Sequence, residues 1–165
     1  MDVSRIQYNV YNLGQGVSFP NPQRNYATFD EKRTRELVDA GEEALPYIDY
    51  FLKTANTEAQ VVDGLQVLDR MLDNGTKGID DMYPTLSRFN DTNSPNIQVY
   101  LSGIYRKTLV PDAFGPLNKM LLRQTFYPNS PYFDPTEEIG GAILDYLTNW
   151  GNVRAAFIEK QKRNR

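Results

Sequence analysis

The chain has no cysteine and no histidine among its 165 residues. Without thiols there can be no disulfide, thiolate nucleophile or Cys/His metal site, and without imidazole there is no side chain that ordinarily titrates near neutrality. Serine chemistry would then need a lysine or carboxylate base, yet neither Ser-x-x-Lys nor Gly-x-Ser-x-Gly spacing occurs. Gly14-x-Gly16 lacks the strand, helix and lysine of a phosphate loop. No catalytic residue, metal ligand set or cofactor is therefore expected. An enzyme relying only on carboxylates, lysine and tyrosine has no motif behind it. Long apolar runs are missing too: none approaches the roughly 18 residues of a membrane helix. Residues 1–20 lack the basic start and apolar block of a secretory signal. The expectation is a cytoplasmic protein without membrane contact.

What is present is a folding composition, 40% apolar and 24% charged, of a length that suits one domain. The net charge of −3 argues against bulk attraction to nucleic acid, but it is unevenly spread. Residues 1–92 hold nine Lys/Arg against fifteen Asp/Glu, whereas residues 93–165 hold nine against six. One end should be acidic and the other basic.

Residues 1–27, rich in Asn, Gln, Tyr, Gly and Pro, show no sustained period and read as a flexible or extended leader. Its aromatic and aliphatic residues, such as Ile6, Tyr8 and Tyr11, suit either packing along a helical body or a partner-binding tail. From Thr28 the pattern becomes helical, with Thr28 and Glu31 at capping-box spacing and Gly41 as a stop. Leu45, Ile48, Leu52 and Ala55 share one helix face, as do Val61, Leu65, Leu68 and Leu72. The short joint at Asn56-Thr57 makes an antiparallel hairpin. Ile79, Met82, Leu86 and Phe89, then Ile97, Leu101, Ile104 and Thr108, predict a second hairpin around a Ser94-Pro95 helix start. Phe114, Leu117 and Leu121, then Ile139, Ile143, Tyr146 and Trp150, predict a looser third. Residues 154–165 form a basic C-terminal tail.

Two landmarks point to a repeat. Prolines fall in the first helix of each pair, at Pro46, Pro84 and Pro116, where a bend is expected. Val61, Leu65, Leu68 and Arg70 also match Ile97, Leu101, Ile104 and Arg106 at a constant offset of 36. With these residues, the stretch Gly41-Glu42-Glu43-Ala44-Leu45-Pro46-Tyr47-Ile48 followed by Val61–Leu72 resembles a HEAT or armadillo-type repeat, over about residues 37–150. The resemblance implies an all-α, right-handed stack of about three antiparallel helical hairpins over residues 28–153. It also implies a scaffolding or binding role in which the second helices line one surface.

The carboxylate pairs Glu42-Glu43, Asp80-Asp81 and Glu137-Glu138 sit where helices start and suit the helix dipole better than chemistry. Gly140-Gly141 suits close helix packing. Tyr100, Tyr105, Arg106 and Lys107, with Lys119 and Arg123, form a basic, aromatic group that either holds an acidic patch on another protein or is a solvated face with tyrosines covering the core. Tyr127, Tyr132 and Phe133, in a Pro-rich loop, either add contact area or cap the open end of the stack. The resulting expectation is a non-catalytic protein-interaction module; the alternative is nucleic-acid binding through the basic half.

Overall fold

Sixteen consecutive residues, Glu58–Asp73, form a helix whose Val61, Val62, Leu65, Val67, Leu68 and Met71 are all buried together with Asp63, Gly64 and Gln66. A helix covered on so many sides must lie between others, and the rest of the chain is arranged around it. The computed structural model describes residues 2–126 and 134–164. In chain order its helices are α1 (Val3–Tyr11), α2 (Glu31–Ala40), α3 (Leu45–Thr54), α4 (Glu58–Asp73), α5 (Tyr83–Leu86), α6 (Pro95–Thr108), α7 (Phe114–Phe126), α8 (Thr136–Thr148) and α9 (Trp150–Arg163). The fold is all-α: the described residues hold no strand, only isolated bridges at Ser18–Thr28 and Asn21–Arg24. None of the described helices is long and apolar enough to cross a membrane.

Most of the expected helices form near where the apolar period placed them, but Ile79–Phe89 is a 3-10 turn, the four-residue α5 and a second 3-10 turn rather than one helix, and Trp150 begins α9 instead of ending α8. The ends of the helices follow from local chemistry. Thr57 Oγ1 accepts from the Gln60 amide while Gln60 Oε1 accepts from the Thr57 amide, a closed capping box that begins α4 three residues after α3 ends. Arg88 donates to the carbonyls of Leu52 and Ala55, satisfying the end of α3 from the following unit. Ser94 caps α6 with Pro95 at its first position. α2, however, is capped by Asp30 rather than Thr28, whose backbone instead pairs with Ser18 at 2.9 and 3.0 Å.

Side by side, α2 packs on α4, α4 on α6 and α6 on α8, while α1 packs on α3 and α3 on α5. Two of the glycines allow close approaches between helices. A Cβ on Gly64 would stand 2.8 Å from a methyl of Leu52, and one on Gly141 would stand 3.1 Å from the Arg106 guanidinium. Gly141 thus does what the sequence suggested, whereas Gly140 faces open space.

Three further expectations need correction. Residues 3–11, read as part of an irregular leader, are helical: Asp2 caps the helix, and Ile6 and Val10, one turn apart, are buried together with Leu13. The signal was missed because a two-residue apolar stripe is too short to show a period. The prolines do not bend helices internally. Pro46 and Pro84 are second residues, and Pro116 the third, of helices that each follow a 3-10 turn (Gly41–Ala44, Ile79–Met82 and Pro111–Ala113). There the missing amide costs nothing, since first-turn donors have no helical acceptor. Finally, the boundary drawn at residue 153 falls inside α9, so the basic segment through Arg163 is a continuation of a helix; Arg165 lies outside the described residues.

Candidate interaction surface

The basic and aromatic group on α6 is drawn into the fold. Tyr105 is fully buried, and its hydroxyl donates to Asn90 Oδ1 at 2.6 Å; burial pushes its ionisation well above the usual phenol range. Tyr100 is half-buried, meets Phe29 edge-on at 5.7 Å, and burial raises its pKa to about 12. Arg106 donates from Nε to Asp145 at 2.7 Å and lies 3.4 Å from Glu138, tying α6 to α8. Lys107 reaches Asp69 at 2.7 Å and Asp73 at 2.8 Å, tying α6 to α4. Partial burial disfavours the Lys107 ammonium, but hydrogen bonds and attraction from both carboxylates outweigh it and raise its pKa.

Arg123 donates to the carbonyls of Asn90 (2.8 Å) and Thr92 (3.4 Å), holding the turn before α6. Lys119 alone of the basic candidates points to solvent without an ion pair among the described residues. Tyr127, Tyr132 and Phe133 lie outside the described residues. The three carboxylate pairs all occupy first turns, as expected, and among the described residues no group of three or more carboxylates is placed to hold a metal ion.

A different surface emerges between α1 and α3. Ser4, Gln7, Tyr8 and Tyr11 of α1 face Tyr47, Tyr50, Phe51 and Thr54 of α3 across a groove of about 870 Å³, with Val10, Gln15 and Gln60 completing the lining. None of these residues carries a formal charge, in a chain that is 24% charged. Tyr8, Tyr11 and Tyr50 are 57%, 83% and 70% exposed, an extravagant display of aromatic surface for residues that usually have most of it covered. Tyr8 and Tyr50 accept through their backbone carbonyls from Asn12 and Thr54, leaving their phenol hydroxyls without a partner among the described residues.

The groove walls are fixed from behind. On the inner side of α1, Arg5 pairs with Glu36 at 2.8 Å and Asn9 donates to the same carboxylate at 2.7 Å, holding its pKa down at about 2. Beyond the helix, the Gly14 amide donates to the buried Asp63 carboxylate at 2.7 Å, and Gln66 donates to its other oxygen at 3.0 Å. Gly14 has φ +97°, and a Cβ there would meet Gln60 at 2.9 Å, so glycine is required for this approach. Burial raises the Asp63 pKa, opposed by these two donors.

The sequence carried this surface only faintly. Tyr8 and Tyr11 stand three residues apart, as do Tyr47 and Tyr50; Tyr8, Tyr11 and Tyr50 are exposed, while Tyr47 is half-buried against the core. The pairing of the two sets required the tertiary fold. No family model, curated protein or solved structure matches the chain.

Proposed function

We propose that the chain is a non-catalytic protein-binding module, a short HEAT-like stack of helical hairpins that takes its partner in the groove between α1 and α3. The observation that carries this reading is the exposed, uncharged set of tyrosines on two buttressed helices. Tyrosine offers large contact area for the loss of few rotamers and keeps a polar tip, which is why it dominates adaptable binding surfaces. Exposed apolar residues also occur at Leu122, Leu144, Leu147 and Trp150, and at Phe157 and Ile158 among the charges of α9, but these do not line a groove with the tyrosine-rich, uncharged character of this one.

A reading in which the second helices present Tyr100, Arg106 and Lys107 belongs to the same class of function. The internal pairing of Arg106 and Lys107 favours the first helices instead.

Site-specific photocrosslinking tests this in the native host. A benzoylphenylalanine replacing Tyr50 or Tyr11 should trap a protein adduct, whereas the same group at Tyr100 or Lys107 should not. Adducts arising only from the α6 positions would move the surface there. No adduct from any position would remove the binding reading.

A further inference from the structure

We infer that the α1/α3 groove takes an uncharged, proline-rich segment in the polyproline II conformation, an inference that rests on the protein-binding reading above. The known ways of holding a peptide make different demands, and most are unmet here. Strand addition needs an unpaired sheet edge, but the described residues hold only isolated bridges. Acidic or phosphorylated motifs need a cluster of cations; no lining residue is charged, and nearby Arg5 is already paired with Glu36. An amphipathic helix is anchored by aliphatic side chains in apolar pockets, whereas only Val10 and Phe51 of this lining lack a polar atom.

A polyproline II segment has no internal hydrogen bonds, so its carbonyls are free to accept from tyrosine hydroxyls and glutamine amides. Its pyrrolidine rings are apolar plates suited to aromatic faces, and neither contact calls for charge. The dimensions agree. Ser4 to Tyr11 spans seven residues of helix, about 10.5 Å at 1.5 Å per residue. Two prolines separated by two residues span about 9.3 Å at 3.1 Å per residue. The groove therefore holds one such Pro-x-x-Pro unit, and the buttressing of α1 by Asp63 and Glu36 means that little ordering is left to occur on binding.

The test is a selection from a random dodecapeptide display library on the full chain, with a Tyr8→Ser/Tyr50→Ser variant in parallel. Both tyrosines are exposed, and an unchanged melting temperature certifies the variant as folded. Selected peptides should carry Pro-x-x-Pro without a charge preference. In fluorescence anisotropy they should bind the variant at least tenfold more weakly, and replacing either proline by alanine should weaken binding by a similar factor. Peptides that need the tyrosines but lack proline overturn this inference and leave the protein-binding reading standing. Peptides that bind the variant equally well, or a selection that yields none, overturn both. So does tyrosine-dependent capture of a neutral oligosaccharide on a glycan array in place of any peptide.

Discussion

Reversing charge on α6, in the double variant Arg106→Glu/Lys107→Glu, separates a surface built for an acidic partner from one engaged within the fold. If the two side chains faced a partner, the change would abolish capture and leave the melting temperature alone. The geometry requires the opposite. Four attractions disappear, from Lys107 to Asp69 and Asp73 and from Arg106 to Asp145 and Glu138, and four repulsions at similar spacing replace them. A partly exposed pair contributes about 0.2–1 kcal/mol, and a like-charge pair costs a similar amount. The more exposed Asp73 and Glu138 belong at the low end of that range, so the expected loss is roughly 2–4 kcal/mol. At about 2–4 °C per kcal/mol for a chain of this size, the melting temperature should fall by roughly 5–15 °C. Differential scanning fluorimetry at low ionic strength reads the change. In 1 M salt, where the Debye length is about 3 Å, the gap should narrow. A melting temperature that does not move, in either salt, would refute the assignment of these side chains to internal pairing.

The remaining expectations probe the N-terminal region and its attachments. Deleting residues 2–13 removes Ile6, Val10 and Leu13 from the core; at about 1.5–3 kcal/mol for each buried aliphatic side chain, the loss is roughly 5–8 kcal/mol, enough to leave a domain of ordinary stability largely unfolded by circular dichroism. Asp63→Ala orphans the Gly14 amide and removes one of the two acceptors of the Gln66 amide, the other being Thr34, and should cost about 2–4 kcal/mol in urea unfolding, whereas a substitution at exposed Lys119 should change stability by less than about 0.5 kcal/mol. Glu36 has a depressed folded pKa, so the stability it contributes is present above its unfolded value of 4.5 and disappears as pH falls toward about 2. Between those limits the melting temperature of the wild type should fall more steeply with acid than that of Glu36→Gln, and parallel curves would contradict the Arg5–Glu36 attachment.

The helices α3, α4 and α6 announced themselves because each carries a complete apolar stripe. Leu45, Ile48 and Leu52, or Ile97, Leu101 and Ile104, repeat often enough to reveal a 3.6-residue period and are buried as that period implies. α1 escaped notice because its buried face has only two apolar residues, Ile6 and Val10, beside the buried amide of Asn9, and its polar faces read as loop. The candidate site was harder for a different reason. Residue type suggested that Arg106, Lys107 and Arg123 were exposed cations, but whether a cation faces solvent depends on carboxylates and carbonyls up to 39 residues away. Conversely, the sequence left Tyr11 open between packing and a partner-binding tail and drew no attention to Tyr50, and only the position of α1 beside α3 shows that both are exposed.

The constant offset of 36 between α4 and α6 reappears in the polar contacts that join successive segments, but the chemistry is not copied with the spacing. Thr85 donates to Asp49, and Tyr146 to the Val110 carbonyl, across 36 residues; Asn96 reaches Glu58 and Lys107 reaches Asp69 across 38; Arg70 reaches Glu31 and Arg106 reaches Asp145 across 39. Arg70 and Arg106 occupy matching positions, yet Arg70 turns back to α2 whereas Arg106 turns forward to α8. The reason lies in the neighbouring helix. Gly141 leaves room on α8 for the Arg106 guanidinium, and Gly103 on α6 leaves room for the Asp69 carboxylate, with added Cβ atoms standing 3.1 Å from each. Once Lys107 has taken Asp69 and Asp73, the backward direction that Arg70 uses is already occupied for its counterpart. These sequence separations, 36 to 39 residues, mark where successive segments meet. Small residues at those meeting points decide which charge is fastened to which, and side chains outside these contacts, such as the exposed Tyr11 and Tyr50, are left to meet a partner.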